Sequence, residues 1–232
     1  LFFLTDVLYR MMPPFYESLE SALAAAYPDR GAGIRVPILV RFGSWVGGDM
    51  DGNPHVTAKT LRETLARQRS LALNLYYREC SELARHLSQG VSRVGVSEEL
   101  ERRMKLYAGH FPEAANTVPP RQRQMPYRRF LRLVAARLQA TFDDAAFPYE
   151  SPDEFIGDLE VVADSLRAHK GRHAGLFAVR RLLRRARTFG FHIATLDIRQ
   201  HALVHRRVIG EALQEEKWLE LDAGERTRRL DA

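Results

Sequence analysis

Gly190 is followed by Phe191-His192-Ile193-Ala194-Thr195-Leu196-Asp197-Ile198-Arg199-Gln200, a stretch that breaks the helical rhythm on either side of it. Its β-branched and aromatic content predicts a strand over Phe191 to Arg199. Alternation puts Ile193, Thr195, Asp197 and Arg199 on one face and Ala194, Leu196 and Ile198 on the other. The apolar face is expected to meet helices. A second stretch of this kind, Val36 to Trp45 (VPILVRFGSW), is bounded by Gly31, Gly33 and Gly47. Each predicted strand is followed by helix after a long helical interval, the order of parallel strands joined by helical crossovers. Two strands leave unpaired edges, so either they find other partners or further strands lie outside these residues. In a helix-covered barrel the polar face would point inward, with Arg199 at the carboxyl end where barrel enzymes place their sites; the competing reading is an Arg199 that merely neutralises Asp197 or a neighbouring carboxylate at a strand end.

Elsewhere apolar residues recur at spacings of three and four, as at Leu61, Leu65, Leu75, Leu83 and Leu87, which predicts a mainly α chain. Thr57 reads as the N-cap of a helix running to about Leu87, with Gly90 beyond its end. Another helix starts near Ser97. Ser151-Pro152-Asp153-Glu154 has the composition of a capping box with Pro at the first helical position, opening a helix to about Ala168. Further helical patterns cover Tyr127 to Phe142, Ala174 to Thr188 and His201 to Trp218, and the first twelve residues read as an amphipathic helix.

The chain has 232 residues, 45% of them apolar, enough for a packed core. No apolar run approaches the roughly 20 residues of a membrane span, and the amino-terminal residues lack the pattern of a secretory signal. Cys80 is the only cysteine, so no internal disulfide can form and a reducing, cytoplasmic setting is expected. A net charge of +6 favours an anionic partner without choosing among nucleic acid, membrane surface and a phosphorylated small molecule. Leu1 stands where an initiator Met would, so the chain is expected to be an internal segment of a longer reading frame.

Val46 to His55, VGGDMDGNPH, sets three glycines, two aspartates, an Asn and a Pro between a predicted strand and a helix. As a phosphate cradle it lacks the Lys and Ser/Thr of such loops, and its aspartates would repel phosphate. As a calcium loop it fails, because Pro54 sits where Gly is required and Thr60 where the bidentate Glu belongs. Two readings stay open. One is a tight turn in which Asp49, Asp51 and Asn53 bond nearby amides, and the other is a functional loop.

The stretch Phe42 to Thr57, FGSWVGGDMDGNPHVT, resembles the phosphoenolpyruvate carboxylases, as does LDIRQ at Leu196 to Gln200. Pro126-Tyr127-Arg128 and His205 add weaker matches, and Met50 departs from the Arg usual at its position. The resemblance implies that the chain, residues 1–232, is one internal fragment of a larger, helix-rich enzyme with a partial TIM-like α/β barrel. It implies that Arg199 binds substrate and takes part in catalysis. Trp45 would form an apolar wall beside the bicarbonate or carbon dioxide site, and Gly47, Gly48, Asp49, Asp51 and Asn53 would belong to the active-site loop. It further implies phosphoenolpyruvate and bicarbonate as substrates, Mg2+ or Mn2+ as cofactor, a homotetrameric parent, and catalytic His, metal ligands and Gly-rich loop outside this chain. The fragment alone is then expected to be inactive.

The run Arg180-Arg181-Leu182-Leu183-Arg184-Arg185-Ala186-Arg187 offers a competing reading, a basic helical nucleic-acid-binding or protein-interaction module. The commoner explanation is an amphipathic helix with Leu182, Leu183 and Ala186 toward the core and solvated arginines.

Overall fold

The computed structural model describes residues 2–29, 34, 36–91 and 94–231. Gly31 and Gly33, expected to open the first strand, lie outside the described residues. Among those described, nine α-helices and two short strands follow in the order α1 (Tyr9–Ala26), β1 (Gly43–Ser44), α2 (Ala58–His86), α3 (Glu98–His110), α4 (Pro112–Asn116), α5 (Pro126–Phe142), α6 (Pro152–Ala168), α7 (Leu176–Phe189), β2 (Thr195–Leu196), α8 (Ala202–Ala212) and α9 (Ala223–Leu230). The mainly α class with two short parallel strands is as read from the sequence. The chain divides into two compact units, one of Leu1–Phe42 and Ala66–Ala194, the other of Gly43–Leu65 and Thr195–Ala232.

The first unit is a helical assembly around an aromatic core. Tyr76 and Phe155 lie 5.2 Å apart between ring centroids, and Phe42 stacks on Phe189 at 5.3 Å. Helix α7 buries Leu182, Leu183 and Ala186, as its periodicity predicts. Its arginines are not simply solvated. Arg181, Arg184, Arg185 and Arg187 form ion pairs with Glu17, Glu20, Glu79 and Glu160 respectively, which commits the charge of the supposed phosphate-binding face to protein carboxylates. Arg128 of the Pro126-Tyr127-Arg128 stretch donates from Nε to the carbonyl of Ala84, satisfying an orphan carbonyl at the end of α2.

A polar cluster sits inside this unit. The carboxylate of Asp158, fully buried, accepts from Tyr149 Oη at 2.6 Å, from Tyr107 Oη at 2.9 Å and from Arg103 Nη1 at 2.8 Å. Arg137 donates to Tyr107 Oη at 2.7 Å while its guanidinium lies 4.1 Å from the Tyr149 ring centroid. Buried charge of this kind needs its lone pairs and protons satisfied, and here the bonds are spread over three helices and a loop, with Arg137 Nε left without a partner.

Several sequence expectations need correction. Ser151 makes no side-chain cap bond, and Glu154, which would close the box, is paired instead with Arg137. The strands are far shorter than Val36 to Trp45 and Phe191 to Arg199. Leu39 and Val40 donate their N–H groups to Tyr16 Oη, and the Val36 carbonyl accepts from Arg184 Nη1, so side chains take the place of a neighbouring strand. Ile193 and Ala194 are both buried, which breaks the period-two pattern, and Ile198 is 59% exposed rather than packed on a helix. The amino-terminal helix begins as a π-helical turn, Phe3–Leu8, and runs on to Ala26. The helix predicted from His201 to Trp218 stops at Ala212, where Gln214 takes a positive φ and Trp218 folds back against Gly210.

Candidate functional site

The second unit holds both glycine- and charge-rich motifs. Strands β1 and β2 pair in parallel, Gly43 beside Thr195 and Ser44 beside Leu196, with Asp197 N–H donating to the Ser44 carbonyl at 2.9 Å. Five residues beyond Ser44 and three beyond Leu196, the chains meet again at an isolated parallel bridge between Asp49 and Arg199. Arg199 N–H donates to the Gly48 carbonyl at 3.0 Å, and Met50 N–H donates to the Arg199 carbonyl at 2.7 Å. The backbone of Arg199 is thus clasped on both sides by the residues flanking Asp49.

Glycine is what permits this approach. A Cβ on Gly48 would lie 2.2 Å from the carbonyl oxygen of Asp197, and Gly47 has φ of +87° with Thr64 Oγ1 occupying the place of a Cβ. Between the two pairings, the N–H groups of Gly48 and Asp49 both donate to the Trp45 carbonyl, at 2.9 and 3.1 Å, folding the loop back on itself.

The open choice at this loop resolves in part toward turn chemistry. Asp49 Oδ1 accepts from Asp51 N–H at 3.3 Å, and Asn53 Oδ1 accepts from His55 N–H at 3.1 Å, both side chains bonding their own backbone two residues on. Thr57 precedes α2 as its spacing predicts, with Thr60 Oγ1 accepting from Thr57 N–H at 3.2 Å. Ser97 likewise caps α3 through Leu100 N–H, and α6 runs to Ala168.

Asp49 also faces Arg199 across the bridge, Oδ1 to Nε at 3.2 Å, and the Arg199 guanidinium lies 5.4 Å from the Trp45 ring centroid. Trp45 is 56% exposed, so its indole is a surface ring beside a charged group rather than a core side chain. The structure therefore gathers Trp45, Gly47, Gly48, Asp49 and Arg199 into one place. Asp51 and Asn53 shape the loop but make no contact with Arg199. His205 lies on the exposed part of α8, its N–H donating to the His201 carbonyl.

Among the described residues no group of three or more His, Cys, Asp and Glu side chains could hold a metal ion, so the residues present do not fit a divalent cation. No described helix is long and apolar enough to cross a membrane. Two features escaped the sequence reading. The partner of Arg199 is Asp49, not the adjacent Asp197, because strand register is invisible in one sequence. The Asp158 cluster also went unread, although an acid at the third position of the apolar series Phe155, Leu159, Val162 was a signal for it.

A family model described as phosphoenolpyruvate carboxylase matches residues 1–232. Phosphoenolpyruvate carboxylase of Xanthomonas euvesicatoria pv. vesicatoria (strain 85-10) is 50% identical over 225 residues, covering 97% of this chain and 25% of that protein. The one from Xanthomonas oryzae pv. oryzae (strain MAFF 311018) is 50% identical over 228 residues, covering 98% and 25%. That of Burkholderia mallei (strain SAVP1) is 35% identical over 221 residues, covering 87% and 21%. The chain spans about a quarter of the length of the Xanthomonas relatives it matches.

Proposed function

Because this chain belongs to the phosphoenolpyruvate carboxylase family, we propose that it supplies one wall of the site at which a larger cytoplasmic, homotetrameric enzyme joins phosphoenolpyruvate to bicarbonate, giving oxaloacetate and phosphate. The observation that carries the reading is the bridge that sets Arg199 beside Asp49 and Trp45, two motifs far apart in sequence converging on one exposed guanidinium.

Arg199 suits a substrate that carries both phosphate and carboxylate. A guanidinium stays charged and offers a planar fork to two oxygens. In the reaction a bicarbonate oxygen attacks the phosphoryl group, giving carboxyphosphate and the enolate of pyruvate; carboxyphosphate then breaks its C–O bond to give carbon dioxide and phosphate, and the terminal carbon of the enolate bonds to that carbon dioxide. Negative charge is present throughout, and a cation fixed in advance stabilises it without reorganisation. Trp45 presents an apolar face next to that cation, suited to shielding carbon dioxide from water. Mg2+ or Mn2+ would be held by ligands outside this chain.

The test is a chimera in which this chain replaces the matching quarter of the Xanthomonas euvesicatoria enzyme, assayed for oxaloacetate formation. Activity in the chimera, a loss of about 100-fold or more with Arg199→Ala, and none from the isolated 232-residue chain are expected. Full activity of the Arg199→Ala chimera would overturn the role of Arg199. Carboxylation by the isolated chain would overturn the claim that it is only part of the machinery.

A further inference from the structure

We infer that Asp49 is a positioning residue that holds Arg199 by its Nε so that both Nη groups are presented to the oxygens of an anionic substrate. The inference rests on the reading of Arg199 as a substrate-binding residue.

The ion pair has its nearest approach between Asp49 Oδ1 and Arg199 Nε, at 3.2 Å. A two-pronged pair would consume an Nη donor. Among the described residues the pair is an ion pair on the Nε edge of the guanidinium, and no hydrogen bond to a protein acceptor takes up either Nη. Exposure divides the same way, with the Asp49 side chain 22% accessible and that of Arg199 61%. Asp49 is in turn immobilised. Its Oδ1 takes the Asp51 N–H, and its neighbours Gly48 and Met50 are bonded to the backbone of Arg199 on either side. In a parallel bridge the paired residues lie side by side, so the backbone places this carboxylate next to this guanidinium. The Trp45 ring, 5.4 Å from the guanidinium, limits its swing on the other flank. An exposed arginine otherwise loses much rotamer freedom on gripping a ligand, and fixing it beforehand removes that cost from binding.

The chimera gives the test, with phosphoenolpyruvate as the varied substrate. Asp49→Ala is expected to lower kcat/KM about 100-fold, chiefly through a raised KM, since a misplaced contact can cost that much. Asp49→Asn, which keeps an acceptor oxygen, should recover most of it. Adding Asp49→Ala to Arg199→Ala should then change kcat/KM by less than about two-fold, because the residue acts through Arg199. If the two losses multiply, Asp49 acts on its own and the inference falls while the role of Arg199 stands. A lowered KM in Asp49→Ala would show that the carboxylate sequesters Arg199, and overturns it too. If Arg199→Ala is itself silent, both fall. Should Asp49→Ala fail to fold, Asp49→Asn and Asp49→Glu carry the same cycle, with a loss in Asp49→Glu that vanishes in the Arg199→Ala background supporting positioning and one that persists refuting it.

Discussion

The N–H of Arg199 donates to the carbonyl of Gly48 at 3.0 Å, across a gap that leaves Gly48 no room for a side chain. A Cβ there would lie 2.2 Å from the Asp197 carbonyl oxygen, and backbone cannot swing aside as a side-chain tip can. Gly48→Ala is therefore expected to force the two chains apart, at about 1–3 kcal/mol of stability, and to impair the chimera at least as much as Arg199→Ala. Gly52 provides the control. It also has a positive φ, +68°, but an added Cβ there meets nothing within 4 Å, so Gly52→Asn should leave thermal unfolding and turnover near those of the parent. Equal damage from both would mean that the close approach at Gly48 is not what matters.

Cys80 lies fully buried on α2, and burial pushes its thiol well above the ordinary range, helped by the negative charges of Glu79 and Asp158. The thiolate is the reactive form, so the native chain should not react with a disulfide reagent at mildly alkaline pH. Unfolding in guanidinium chloride should release the single thiol the sequence contains. Rapid labelling of the folded chain would show that α2 opens locally around this position.

Glu99, at the start of α3, accepts from Arg102 Nε at 2.7 Å and from Arg103 Nε at 2.6 Å. The hydrogen bond from Arg102, then that from Arg103, holds its carboxyl down at about 2 against an ordinary 4.5. A carboxyl depressed in the folded state stabilises above its unfolded value and loses that contribution as pH falls toward the folded value. The advantage of the parent over Glu99→Gln should thus be full above about pH 5 and gone near pH 2. Solvent screens a side chain 40% accessible, so the advantage should be only about 0.5 kcal/mol, read from urea unfolding at several pH values. A gap that widens on acidification would contradict the assignment.

Local signals were the most legible. Ser97 and Thr57 stand at helix starts in the sequence and in the fold, and Ser97 accepts from Leu100 N–H, since a cap needs only its own next three residues. The reading failed where a distant side chain intervened. Glu154 abandons its cap for Arg137, and Tyr16 Oη takes the amides that would have extended the first strand. The site was legible as two motifs and a parallel pairing. What the sequence could not contain was the register that puts Arg199 opposite Asp49 instead of leaving it to Asp197, since register follows from glycines and a loop that bring the chains together.

Asp158 offers the sharpest stability test, because three donors depend on one fully buried carboxylate. Asp158→Ala would strand the hydroxyls of Tyr107 and Tyr149 and take the partner from Arg103 Nη1, leaving Arg103 paired with Glu99 alone, and breaking such a cluster from one side costs about 3–5 kcal/mol. That is a large share of the 5–15 kcal/mol or so that holds a typical domain together. Tyr149→Phe should cost only about 1 kcal/mol, since Tyr107 and Arg103 still satisfy the carboxylate. The two changes should not add. With the Tyr149 hydroxyl already gone, Asp158→Ala strands one donor fewer, so its cost in the Tyr149→Phe background should be smaller by roughly 1 kcal/mol than in the parent. Urea unfolding of the four proteins closes the cycle. Strict additivity would mean that Tyr149 and Asp158 stabilise the unit independently, in spite of the 2.6 Å between them.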